Sequence, residues 1–129
     1  MEKYFCIGIF ILFLCSCSNP AAPEIIKSEK HTISTNDYIL SNPGHFVATI
    51  NCSLITEQIM QSGSVSVNYQ PYNQTWYIPF QWAFTQNNHF YSWNYYYELG
   101  KVYLLFQTTN PNEKFPPDGY FLITVISRG

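Results

Sequence analysis

Charged side chains are scarce in this chain, at 11% of 129 residues, and no sign of charge dominates, with six Lys/Arg against eight Asp/Glu. No basic patch can be assembled from so few cations, which excludes a protein that reads nucleic acid through its phosphates. A disulfide framework is lacking too. Of the four cysteines, Cys6, Cys15 and Cys17 crowd into the first seventeen residues, and only Cys52 lies further on. Metal-ligand spacing is missing: His31, His45 and His89 stand alone, so neither a metal nor a cofactor is expected. The chain carries no nucleophile elbow, phosphate loop or paired-acid motif. Glu57, Glu98, Glu113 and Asp118 could meet only through folding, and Glu98 reads as a solvated strand end.

Long apolar runs are also rare, and the one that exists is informative. Tyr4 to Leu14 is continuously apolar behind Lys3. At about 1.5 Å per residue it spans roughly half a bilayer core, too short for a transmembrane helix and suited to the h-region of a signal peptide. It ends in Leu14-Cys15-Ser16-Cys17. This resembles the bacterial lipobox, with Leu at −3, a small residue at −1 and Cys at +1. The resemblance implies a signal peptide over 1–16, cleavage before Cys17, a thioether-linked diacylglycerol on its thiol, and a fatty chain such as palmitate on the new amine. Two or more acyl chains anchor a protein stably to a membrane. Ser18, where an inner-membrane retention signal would carry Asp, implies an outer-membrane lipoprotein, periplasmic or surface-exposed. With three cysteines used in this way, Cys52 is left as a small buried hydrophobe without a nearby base to activate it.

Residues 17–36 read as a lipid-anchored tether. Pro20, Pro23 and a mixed polar run through Lys30 and Thr35 offer little apolar area to bury, and His31 falls in this stretch. From about Asp37 to Gly129 the pattern becomes that of a folded domain. His45 to Cys52 alternates, with Phe46, Ala48, Ile50 and Cys52 on one face. Ile55, Ile59 and Met60 have helical spacing, with Thr56 placed to cap and Gly63 to terminate one short helix. Ser64–Tyr69 alternates again, Trp76–Phe80 reads as a strand ended by Pro79, and Gln86-Asn87-Asn88 as a turn. His89–Glu98, Lys101–Thr108 and Tyr120–Ser127 complete the strands, with Gly100 in a tight hairpin between the first two. Aromatics make up 19% of the chain and favour pleated, half-buried surfaces. The fold class expected is all-β: an antiparallel β-sandwich, Ig-like or related, of about six to eight strands with one short helix.

Ile55-Thr56-Glu57-Gln58-Ile59-Met60-Gln61-Ser62-Gly63-Ser64-Val65-Ser66-Val67 fits the pattern I-T-x-x-[IVL]-[ML]-x-x-G-x-V-x-V. It is followed by Trp76-Tyr77-Ile78-Pro79-Phe80, by Gly100-Lys101-Val102, and by the apolar Phe121–Ile126. These features resemble a group of small exported lipoproteins of unknown function common in Bacteroidota. The resemblance implies a β-sandwich and carries over no catalytic residue.

One feature has a functional reading. In the strand Phe90–Tyr97, Tyr91, Trp93, Tyr95 and Tyr97 alternate with Phe90, Ser92, Asn94 and Tyr96, so both faces carry rings. Trp76, Trp82, Trp93, Tyr95 and Tyr97, beside Gln81 and Asn94, form a candidate binding surface for a glycan or a partner protein. The competing reading is core packing with cross-strand aromatic pairs. The function expected is a non-catalytic binding module held at the membrane through Cys17. The alternatives are a structural envelope component, or a small hydrolase built on two acids or a His–acid pair.

Overall fold

The computed structural model describes residues 24–128, without the side chain of Arg128. The expected signal peptide, Cys17 and the first part of the expected tether lie outside the described residues. Nine strands and one helix follow in the order β1 (Glu24–Ile33), β2 (Ile39–Asn42), β3 (His45–Asn51), α1 (Glu57–Ser62), β4 (Ser64–Pro71), β5 (Ile78–Pro79), β6 (Trp82–Gln86), β7 (His89–Glu98), β8 (Lys101–Thr108) and β9 (Gly119–Arg128). They form two antiparallel sheets, a four-stranded one in the order β1-β9-β4-β5 and a five-stranded one in the order β2-β3-β8-β7-β6. The fold is an all-β sandwich. The extra strands over the six to eight expected are short edge pieces and β1.

β1 corrects the tether. Residues 24–33 form an edge strand paired with β9 from Glu24↔Arg128 to Ile33↔Gly119. Ser34 and Asp37 then close a 3-10 turn over Thr35–Asp37, the Asp37 carboxylate accepting from the Ser34 amide at 2.8 Å. The polarity of this stretch has a physical reason. As an edge strand, β1 places Lys27, Glu29 and His31 on its inward side beyond the margin of the core, where charge blunts an open sheet edge. A hydropathy pattern with charge on the inward face looks like a linker.

Elsewhere local chemistry sets the elements as expected. The Thr56 hydroxyl accepts from the Ile59 amide at 3.3 Å and caps α1. Gly63 ends the helix, but its φ of −105° is ordinary. Glycine is needed there for space, because a Cβ would sit 2.5 Å from the Ile126 carbonyl oxygen and 2.9 Å from Ile59 Cδ1. Asn87 and Asn88, both with positive φ, make the tight β6–β7 hairpin. The strand expected over Trp76–Phe80 shrinks to Ile78–Pro79, since Pro79 cannot donate to a ladder and holds β5 at the sheet edge.

The core lies between the sheets. Val65, Val67, Tyr69, Phe121, Ile123 and Val125 of one meet Ala48, Ile50, Tyr91, Val102, Leu104 and Phe106 of the other. Phe80, fully buried where the chain crosses from β5 to β6, stacks on Trp93 at 5.8 Å and meets Phe121 edge-on at 5.0 Å. Aromatics carry much of this small core, each able to bury about 150–250 Å².

Candidate functional site

The structure divides the five aromatic residues of the expected surface. Trp93, Tyr95 and Tyr97 share the inward face of β7 and pack against the core. Trp93 is edge-on to Tyr69 at 5.3 Å and to Phe84 at 6.2 Å, and the Tyr95 hydroxyl donates to the Val65 carbonyl at 3.3 Å. These three rings are therefore corrected from surface to core. Their alternation with Ser92 and Asn94 made either face a possible outside, and the sandwich needs the bulkier set inside. Trp76 and Trp82 remain exposed, at 46% and 53%. Trp76 sits just before β5 and Trp82 opens β6, so they flank the crossing between the sheets. The Trp76 indole Nε1 donates to Gln74 Oε1 at 3.0 Å.

Beside Trp82 the sheet edge forms an open groove of about 280 Å³ lined by Gln81, Trp82, Ala83, Ser92, Trp93 and Asn94. The register explains the grouping. Ala83 lies opposite Ser92, so with Asn94 these small side chains share the outer face of the sheet, while Trp82, opposite Trp93, projects on the other face and lines the groove from the exposed sheet edge. Asn94 Oδ1 accepts from the Tyr95 amide at 2.8 Å, which fixes the carboxamide. The groove thus offers a hydroxyl and two carboxamides with no ionisable group, bordered at the sheet edge by the exposed Trp82. A larger hollow of about 510 Å³ sits at the Pro43–Gly44 hairpin; it has no tryptophan, and Phe46 in its lining is committed to Phe106 at 5.7 Å.

Among the described residues, the candidate acids Glu98 and Asp118 lie at opposite ends of the sandwich. Glu98 accepts from the Tyr103 hydroxyl at 2.7 Å near the Gly100 hairpin, at one end of the sandwich. Asp118 adjoins Gly119 at the other end, where its carbonyl accepts from the Tyr69 hydroxyl at 2.6 Å.

A second cluster was missed in the sequence. Glu29, His31 and Cys52 bring a carboxylate oxygen, a ring nitrogen and a sulfur within 4.8 Å of one another. His31 Nε2 donates to Glu29 Oε1 at 2.7 Å. Cys52 is 1% exposed. Burial pushes its thiol up, and the Glu29 carboxylate in hydrogen-bonding reach pushes it further. A thiol held protonated and covered in this way is the reverse of an activated nucleophile. The signal was Glu-x-His: two residues apart in a strand, both side chains must share a face. Reading the stretch as a tether removed that constraint.

Among the described residues no helix is long and apolar enough to cross a membrane. In comparison with known proteins, no family model, no curated relative and no solved structure matches this chain.

Proposed function

We propose that this chain is a non-catalytic glycan-binding module, a lipoprotein of the small exported kind held at the outer membrane through Cys17. The observation that carries the glycan reading is the groove at the β6–β7 edge. An exposed indole stacks on the apolar face of a sugar ring, and neighbouring carboxamides and hydroxyls match its equatorial hydroxyls. Trp82, exposed at the sheet edge, supplies the ring, and Gln81 with the outer-face Ser92 and Asn94 supplies the polar contacts, so the glycan would wrap the edge from one face to the other. The absence of charge in the groove favours a neutral oligosaccharide over a uronate or a sulfated one.

Tryptophan fluorescence of the chain from Ser18 onward, titrated with a panel of neutral glycans, tests this. Protection of Trp82 from a soluble quencher by one glycan, lost in Trp82→Ala and kept in Trp76→Ala, is the expected result. No protection by any neutral glycan at millimolar concentration refutes the reading.

The outer face of the five-stranded sheet favours a second reading, a partner protein. Its rows, set by register, run Ile39–Val47–Leu105–Asn94 and Thr49–Tyr103–Tyr96. Ile39 is 72% exposed, Tyr96 49% and Phe90 47%, and ionisable groups with a fixed charge at neutral pH are confined to the Glu98–Lys101 pair at one end. Such an uncharged, ring-bearing face suits a protein contact. Cross-linking from Tyr96 without any glycan response would rank it first.

A further inference from the structure

We propose that Glu29, His31 and Cys52 form a three-ligand site for a divalent cation of the zinc class, with a fourth position open to solvent. The inference is independent of the glycan reading and uses a different side of the sandwich.

The donor set is the first support. One sulfur, one imidazole nitrogen and one carboxylate oxygen are the three ligand types that zinc takes, and three protein ligands with one vacancy make an open site. Geometry is the second. Bonds of about 2.0–2.3 Å place tetrahedral donors roughly 3.3–3.8 Å apart. The three donor atoms already lie within 4.8 Å of one another, so shifts on the order of 1 Å complete the triangle, the sulfur closing in while the 2.7 Å His31–Glu29 pair opens. The third support is the scaffold. Glu29 and His31 are fixed by the β1–β9 ladder, opposite Ile123 and Phe121. The Cys52 amide donates to the Gly100 carbonyl at 2.8 Å, and its carbonyl accepts from the Ile55 amide at 3.2 Å. Ligands carried on such anchored backbone lose little entropy on binding.

Access is lopsided in a useful way. The side chains of His31 and Glu29 are 26% and 34% exposed, whereas Cys52 is covered. A cation therefore approaches from the β1 side and meets the imidazole and carboxylate before the sulfur. On binding, the S–H bond of Cys52 breaks, a sulfur–metal bond forms and that proton leaves to water; the proton that His31 Nε2 gives to its bond with Glu29 moves through water to Nδ1, which frees Nε2 and the carboxylate oxygen for the metal. No electron changes hands. Because β1 belongs to one sheet and Cys52 follows β3 of the other, the bound ion would bridge the two sheets where no strand does. Metal binding to a preformed site adds to folding stability.

The test uses the full chain in detergent, with Cys6, Cys15 and Cys17 replaced by Ser so that Cys52 is the only thiol. Zinc is added, excess is removed by dialysis, and retained metal is measured by mass spectrometry. Cobalt(II) is then substituted to look for the thiolate-to-metal charge-transfer band. About one ion per chain and a charge-transfer band that vanishes in Cys52→Ser are expected. Glu29→Gln and His31→Gln, both at partly exposed positions and checked for folding by circular dichroism, should each weaken binding at least about 100-fold, because even partners one layer further out cost 10–100-fold. Three results would each overturn the proposal: no retained metal, cobalt bound without a thiolate band, or affinity unchanged in Glu29→Gln and His31→Gln.

Discussion

The Tyr38 hydroxyl donates to the Pro117 carbonyl across 2.8 Å, joining residues 79 apart in sequence. Tyr69 makes the matching bond to Asp118, and Tyr72 reaches the Ile33 carbonyl at 3.2 Å. Three phenols thus pin the loop entering β9 and the end of β1 at one end of the sandwich. Tyr38 and Pro117 are both buried, so Tyr38→Phe leaves a carbonyl without a partner away from water. A loss of about 1–3 kcal/mol is expected in denaturant unfolding. Tyr72→Phe, at an exposed ring, should cost less than about 0.5 kcal/mol. Equal costs would mean that the Tyr38 bond contributes nothing beyond its ring.

The same phenols predict an alkaline limit. Burial, then the charges of Tyr69, Asp118 and Asp37, pushes Tyr38 well above its ordinary range. Burial, then Asp118, pushes Tyr69 up to about 12. The unfolded chain gives up these protons near pH 10, while the fold keeps them. Above that pH the unfolded state binds fewer protons, so stability falls as pH rises; below it the contribution is present in full. Melting temperature should drop between about pH 10 and pH 12, with a slope reaching ~1.4 kcal/mol per pH unit for Tyr38. A Tyr38→Phe/Tyr69→Phe chain should lose much of that slope. An unchanged slope would place the alkaline transition in other groups.

The split among the tryptophans sets a third expectation. Trp93→Ala removes a ring packed on Phe80, Tyr69 and Phe84 and should destabilise by about 3–5 kcal/mol. Trp82→Ala, at an exposed edge, should stay within about 0.5 kcal/mol of the parent while abolishing glycan protection. Loss of stability in both would place Trp82 in the core.

Two glycines should respond for opposite reasons. Gly63→Ala has an allowed backbone and no room, so overpacking against Ile126 should cost about 1–3 kcal/mol. Gly100→Ala has open space and a φ of +75°, so only backbone strain of about 1–2 kcal/mol remains. Thermal unfolding in an Ile59→Val background discriminates them, because that change removes the Cδ1 that the added Cβ would meet. Only the Gly63→Ala deficit should depend on how α1 packs.

For the anchor, Cys17→Ala should release the protein from the membrane fraction. Unchanged fractionation of that variant would leave the lipobox reading without support.

Much of the sandwich was legible in the chain because period-two alternation is strict wherever a strand has one wet face. His45–Asn51, Ser64–Tyr69 and Lys101–Thr108 show it, and Thr56 and Gly63 bracket the helix by simple capping chemistry. β1 was not legible, since Lys27, Glu29 and His31 put charge where a core pattern expects carbon. The glycan groove was half legible. Trp82, Gln81 and Asn94 could be named as neighbours, but the register that pairs the small Ala83 with Ser92 and sets Trp82 at the sheet edge is a tertiary fact. Of the Glu29–His31–Cys52 cluster only the Glu-x-His spacing stood in the sequence; Cys52 could not be joined to it, because the cluster links a strand of one sheet to the end of a strand of the other.

The pairing of β1 with β9 also has a mechanical meaning. Were Cys17 lipidated as proposed, at most ~25 Å of extended chain would separate the lipid from Glu24. β1 would then be the first strand met from the membrane, and any force on the domain would reach the bilayer through it. Its ladder of ten residue pairs with β9, from Glu24↔Arg128 to Ile33↔Gly119, would be what keeps the domain on its leash.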